Sequence, residues 1–181
     1  MKRHYFLLLF LAGAGLIGWA AYDYSTSGRE AVRFELQGPE GSTPLVRLDP
    51  AMNPMRALLD ISYEIELREE SNPAFEYSII LVGPGGLPAF TAEGVQRDKR
   101  EDNAPEYASR TAEQVITDFD VPAPGDYLFD WRITPEKATI SAQAISLRRN
   151  VTPLRLPLLI AGVACFAVAV LALLLTRKKR S

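Results

Sequence analysis

Hydrophobic and polar positions fall into two regimes along this chain. Near each end lies an uncharged apolar run: "YFLLLFLAGAGLIGWAAY", residues Tyr5 to Tyr22, and "LPLLIAGVACFAVAVLALLLT", residues Leu156 to Thr176. Runs of this length suit helices that cross a hydrocarbon core, where only a helix or a closed barrel satisfies the backbone. Between them the period drops to two. In "LLDISYEIELRE", Leu59, Ile61, Tyr63, Ile65 and Leu67 alternate with Asp60, Ser62, Glu64, Glu66 and Arg68, the pattern of a strand with one buried and one wet face. "AVRFELQ" alternates in the same way. "AFEYSIILVGP" begins by alternating and then turns apolar on both faces, as a central strand does.

"VITDFDV", "YLFDWRI" and "ATISAQAISLRRNV" complete an expected set of six to eight strands, separated by the turn clusters "GPEGSTP", "SNP", "GPGG" and "PAPGD". Strands at this spacing over about 130 residues predict a mainly β fold, an antiparallel β-sandwich of immunoglobulin-like or jelly-roll type flanked by two transmembrane α-helices. "NPMRALL" allows either one helical turn capped by Asn53 or an extension of the following strand. Ala92 to Gln114 shows no periodicity and is expected to be a solvated loop.

Charge gives the pattern a direction. The chain carries 20 Lys and Arg against 22 Asp and Glu. Every acidic residue lies between Asp23 and Glu136, while Lys2, Arg3, Arg177, Lys178, Lys179 and Arg180 flank the apolar runs. The middle region thus holds 14 basic against 22 acidic side chains, a net of −8, and no basic footprint for nucleic acid. Positive charge stays on the cytoplasmic side. The expected layout is an N-terminal transmembrane helix or signal anchor over 1–22, an extracytoplasmic sandwich over 23–153, a C-terminal transmembrane helix over 154–176 and a basic cytoplasmic tail over 177–181. Both termini are then cytoplasmic, the central domain is periplasmic, and the membrane is a bacterial-type inner membrane. A rival reading cleaves the first run as a signal peptide after Ala20; against it, Trp19, Tyr22 and Tyr24 suit an interfacial aromatic belt. Small residues four apart, Ala14 and Gly18 in the first run and Ala161, Cys165 and Ala169 in the second, are the candidates for close helix packing.

Candidate chemistry is sparse. His4 is the one histidine and Cys165 the one cysteine, so the central domain has no Ser/His or Cys/His nucleophile site and no disulfide. Glu64 and Glu66 share a strand face about 7 Å apart by strand rise, inside the spread of glycosidase carboxylate pairs, and read as a solvated outer face. "RDKREDN" and "DFD" offer oxygen ligands without a calcium-loop pattern. No catalytic residue, cofactor or metal is expected. Tyr127, Phe129, Trp131 and Ile133 share one face of "GDYLFDWRI" with the polar residues opposite, which places them in the core and not on a sugar-binding platform.

The corner "DFDVPAPGDYLF", together with the layout of a sandwich followed by one helix and a basic tail, resembles the GOLD-domain cargo receptors. The cysteine pair usual in those domains is absent, so cargo binding is not carried over. The function that follows from the residues is a non-catalytic accessory or interaction subunit of an inner-membrane or envelope complex. Its partners would be the lipid bilayer and another membrane or envelope protein. The alternative is a module binding an envelope glycan or small ligand, with Tyr63, Tyr77 or Trp131 as exposed aromatic contacts.

Overall fold

The computed structural model describes residues 2–67, 70–99 and 106–178, with side chains between 7 and 171 among them. The chain runs α1 (Lys2–Thr26), β1 (Arg29–Glu35), β2 (Glu40–Ser42), β3 (Val46–Leu48), β4 (Met55–Glu66), β5 (Ser71–Val82), β6 (Pro88–Lys99), β7 (Tyr107–Phe119), β8 (Gly125–Pro135), β9 (Ala138–Arg149) and α2 (Leu156–Lys178). It divides into a helical unit, residues 1–27 with 152–181, and a strand unit, residues 28–151.

The strand unit is mainly β and built from two antiparallel sheets. One has the order β1-β9-β4-β7; the other has β2-β8-β5-β6, with β3 following β2 along the same edge of β8. Alternation explains the layering. Leu59, Ile61, Tyr63 and Ile65 of β4, Phe75, Ile79 and Leu81 of β5, and Tyr127, Phe129 and Ile133 of β8 are all 1% exposed or less, in a single core cluster. Burial of each large side chain contributes roughly 1.5–3 kcal/mol, and with no disulfide available this core carries the fold.

The corner before β8 is held by side chains as well as by proline. The Tyr127 hydroxyl donates to the Ala123 carbonyl at 2.8 Å. Asn53 clamps the same corner from β4's side: its amide donates to the Val121 carbonyl at 3.1 Å, and its oxygen accepts from the Val121 N–H at 2.8 Å. Of the two readings of "NPMRALL", the helical turn starting after Asn53 is corrected, since Asn53 ends a turn instead of opening one, and the strand extension holds. The short helical turn lies earlier, at Pro50–Met52, capped by Asp49, and strand pairing extends β4 back to Met55.

A second correction concerns the unpatterned stretch from Ala92 to Gln114. Most of it is strand: β6 pairs along β5, and β7 pairs along the whole of β4. Residues 100–105 lie outside the described residues. Two short edge strands, β2 and β3, also escaped prediction, being three residues each.

In the helical unit, α1 runs past its predicted end at Tyr22 to Thr26. The hydroxyls of Ser25 and Thr26 turn back to the Tyr22 carbonyl at 3.1 and 2.7 Å, the back-bonding that serine and threonine make within a helix. Among the described residues one helical stretch, Leu7–Thr26, is long and apolar enough to cross a membrane. The described apolar part of α2, Leu156–Leu171, is shorter than a span, although its backbone stays helical to Lys178.

Candidate functional site

Among the described residues, the seam between the helices and one side of the sandwich depart from simple core packing, as does the buried Arg56, ion-paired to Asp118 at 2.6 Å.

The helices run antiparallel. Phe10 meets Phe166 with ring centroids 4.4 Å apart, while at the other end Asp23 forms an ion pair with Arg155 at 3.4 Å and the Thr152 N–H donates to Ser27 Oγ at 2.9 Å. Between these ends the contact is glycine on glycine. A Cβ at Gly13 would stand 2.8 Å from the Gly162 carbonyl oxygen, and one at Gly162 would stand 2.7 Å from Ile17 Cγ1. Nothing larger than hydrogen fits either place, which is how helices approach closely without large interlocking side chains.

Of the residues expected to form this seam, Cys165 is half-buried and Ala169 buried, and the Cβ of Cys165 lies 3.3 Å from where one at Gly13 would be. Ala14, Gly18 and Ala161 are exposed instead, and a Cβ at Gly18 would meet nothing within 4 Å. The ridge lies one position earlier on α1 and one later at the start of α2. Gly13 and Gly162 were legible as small residues, but spacing alone does not say which of several small stripes faces inward. Lys2 and Arg3 begin α1 while Arg177 and Lys178 end α2, so the antiparallel run brings these four positions to one end of the pair. Lys179 and Arg180 lie outside the described residues.

The second place is the opening between edge strands β6 and β7, which flank the sandwich on the same side in opposite sheets. At one end the seam is apolar: Phe90 of β6 sits 4.9 Å from Phe119 of β7 and 6.1 Å from Phe129. Further along, the inward positions turn small and then polar. Ala92, Gly94, Gln96 and Asp98 on β6 stand opposite Ile79, Tyr77, Phe75 and Asn72. On β7, Arg110, Ala112 and Gln114 stand opposite the inward Tyr63, Ile61 and Leu59, and directly opposed residues share a face.

Here polar bonds close the gap between the sheets. The Tyr63 hydroxyl, on a residue 1% exposed, donates to Asp98 Oδ2 at 2.6 Å. Gln114 Nε2 donates to Gln96 Oε1 at 2.5 Å, while Gln96 Nε2 reaches Tyr63 Oη and Asp98 Oδ1 only at 3.5 Å each. The result is an opening of about 440 Å³ lined by Tyr63, Gln96, Asp98, Lys99, Arg110 and Gln114, among others. Burial, and then the adjacent Asp98 carboxylate, hold the Tyr63 phenol well above its ordinary pKa. It therefore stays a donor at any neutral pH.

The other candidates are placed plainly. Glu64 is exposed on the outer face of β4, and Glu66 accepts from the Tyr107 hydroxyl at 3.0 Å. Among the described residues no three His, Cys, Asp or Glu side chains gather as a metal site requires. Tyr63 and Trp131 are buried, Trp131 with its ring against Gly41, and half-buried Tyr77 lies over Gly94. Of the three, Tyr77 lines a further opening at the surface, beside Glu76, Glu93 and Arg132.

No family model matches the chain, and no curated protein matches it. Similar solved structures include a chain in infectious bursal disease virus Gx strain, at 8% identity and a TM-score of 0.29, covering 67% of this chain and 30% of that one. The VP2 subviral particle of infectious bursal disease virus is similar at 9% identity and a TM-score of 0.31, with coverage of 71% and 31%. Eiger TNF from S. frugiperda is similar at 10% identity and a TM-score of 0.30, with coverage of 70% and 90%. The chain spans about a third of the length of the viral chains it matches.

Proposed function

We propose that this protein is a non-catalytic accessory or interaction subunit of an inner-membrane or envelope complex, held in the bilayer by α1 and α2 with both termini cytoplasmic. The observation that carries this is the outer surface of the helix pair. Leu8, Leu11, Trp19, Ile160, Val163 and Val168 are all more than half exposed, an apolar surface far beyond what a soluble monomer leaves in water. Lipid covers such a surface, and so does a partner's helix. The Gly13–Gly162 seam supports retention of the first helix, because cleavage after Ala20 would remove one side of a contact that both glycines are shaped for.

For the extracytoplasmic unit we read a jelly roll in preference to an immunoglobulin-type sandwich. First and last strands lie side by side in one sheet, and β5-β6 is the one pair of consecutive strands hydrogen-bonded along the principal order of either sheet. Apart from the step from β2 to β3 along one edge of β8, the other connections cross between sheets, as two interleaved Greek keys require. A fold of this kind names no activity by itself, and the subunit reading rests on the helices.

Affinity purification of the full chain in mild detergent is the test. A stoichiometric membrane or envelope protein should accompany it, and exchange of Ala14 and Gly18 for leucine should release that partner while leaving the chain in the membrane. A clean monomer across several detergents overturns the reading, as does a mature N-terminus at Ala21 by intact mass.

A further inference from the structure

We propose that the opening between β6 and β7 is a binding site for a small organic carboxylate that also carries hydroxyl or amide groups. The inference begins from a cost. Carboxylate and carboxamide groups facing between two sheets lose water and must be repaid by good partners. Apolar side chains would close the same seam at lower cost, as Phe90 and Phe119 do at its other end. The small inward Ala112 lies among the lining residues and leaves room that a large side chain would fill. The resulting volume of about 440 Å³ lies within the size range of small-molecule sites.

The bonding within the opening indicates what it takes. Tyr63 and Asp98 are committed to each other, and Gln114 to Gln96. Gln96 Nε2 has only two contacts at the 3.5 Å limit, so its hydrogens turn to a ligand oxygen at little loss. Arg110 stands directly across β4–β7 from Tyr63 and makes no hydrogen bond or ion pair with any described residue. A guanidinium fork without a partner matches one carboxylate in two parallel bonds. Lys99 adds a second cation at the lining, while Asp98 and Glu113 oppose a more highly charged anion such as a phosphate dianion. A monoanion with neutral polar groups satisfies all of these at once. The proposal is independent of whatever the helices bind, because its residues all lie in the strand unit.

The test uses the full chain in nanodiscs and saturation-transfer NMR, with galacturonate and N-acetylglycine as the acids and galactose as the neutral counterpart. At least one acid should bind with a Kd of about 1 mM or tighter, and galactose about tenfold more weakly than galacturonate. Arg110 is exposed, so Arg110→Ala should fold normally, checked by an unchanged melting temperature. That variant should weaken acid binding by about tenfold, with part of the affinity kept in Arg110→Lys. The proposal is overturned if neither acid shows transfer at about 10 mM. It is overturned equally if galactose binds as well as galacturonate, or if Arg110→Ala binds as the native chain does.

Discussion

The sandwich and the helix pair each close a gap between two facing surfaces, and they do so with opposite residues. Inside the sandwich the largest side chains meet: Phe129 is fully buried, with Phe90 edge-on to it at 6.1 Å. Along the helix seam the smallest meet, and even a methyl group at Gly13 would reach within 2.8 Å of the opposite backbone. In water the gain comes from apolar area removed from solvent, so bulk is favoured. In the proposed bilayer there is no such gain, and close approach of backbones replaces it. The same alanine or glycine thus means a weak core position in one unit and a contact point in the other.

If bulk holds the sandwich, removing it should have the largest effect of any single change. Phe129→Ala is expected to cost about 3–5 kcal/mol and to lower the melting temperature, followed by near-UV circular dichroism, by roughly 10–20 °C. A loss within a degree or two would mean that the aromatic cluster is not what closes the sheets. The converse change belongs to the helices. Gly162→Leu adds a side chain where a Cβ alone would stand 2.7 Å from Ile17, and overpacking of this kind costs about 1–3 kcal/mol. Spin labels on cysteines at the exposed positions Leu11 and Val163, in a Cys165→Ala background, should give a narrow distance distribution in the native seam. Gly162→Leu should broaden or lengthen it, and an unchanged distribution would show that the glycine contact does not set the packing.

How far the sequence could be read follows the same division. Strands β4 and β8 were legible because from Leu59 to Ile65 and from Tyr127 to Ile133 the inward positions are large and apolar while the outward ones, Leu128 apart, are polar; Tyr127, Phe129, Trp131 and Ile133 are buried as their alternation required. Strand β6 and the first part of β7 were not, because their inward positions are Ala92, Gly94, Gln96 and Asp98, and Ala108, Arg110, Ala112 and Gln114, whereas the last part of β7, within "VITDFDV", was legible. Alternation of small or polar residues with mostly polar and charged ones produces little hydrophobic contrast, so a real period of two passed for a loop. The failure coincides with the polar opening. A segment whose inward face is given over to polar groups hides its own secondary structure, and the site was invisible for the same reason as its strands. In the helices the limit was different: composition marked both segments, but a stripe of small residues fixes neither the inward face nor the partner.

The polar end of the β6–β7 seam should respond more gently than either apolar contact. Tyr63→Phe keeps the ring, which packs edge-on to Phe75 at 5.4 Å, and removes the bond to Asp98 with the long contact from Gln96. Because Asp98 is partly exposed and water can take the vacated place, the loss should sit near the lower end for a bond to a charged group, about 1.5 kcal/mol. Denaturant unfolding in both proteins measures it, and a cost near that of Phe129→Ala would make the polar bonds, and not the aromatic cluster, the main closure of the sandwich.

The smallest effect is also the most diagnostic of the hydroxyl's surroundings. Folding raises the Tyr63 pKa above its ordinary value of 10.0, through burial first and the Asp98 bond second. Below that value the phenol is protonated whether the chain is folded or not, and its contribution is fully present. Above it the unfolded chain sheds the proton while the folded chain holds it, so stability drains away as pH rises from about 10 toward the higher folded value. The native protein should therefore lose more stability between about pH 8 and about pH 11 than Tyr63→Phe does. Tyr77, raised in the same direction by burial, and the lysines are common to both proteins and cancel in the comparison. Equal alkaline losses would mean that the Tyr63 hydroxyl is open to water, and the seam would then have no closed polar end to set against its apolar one.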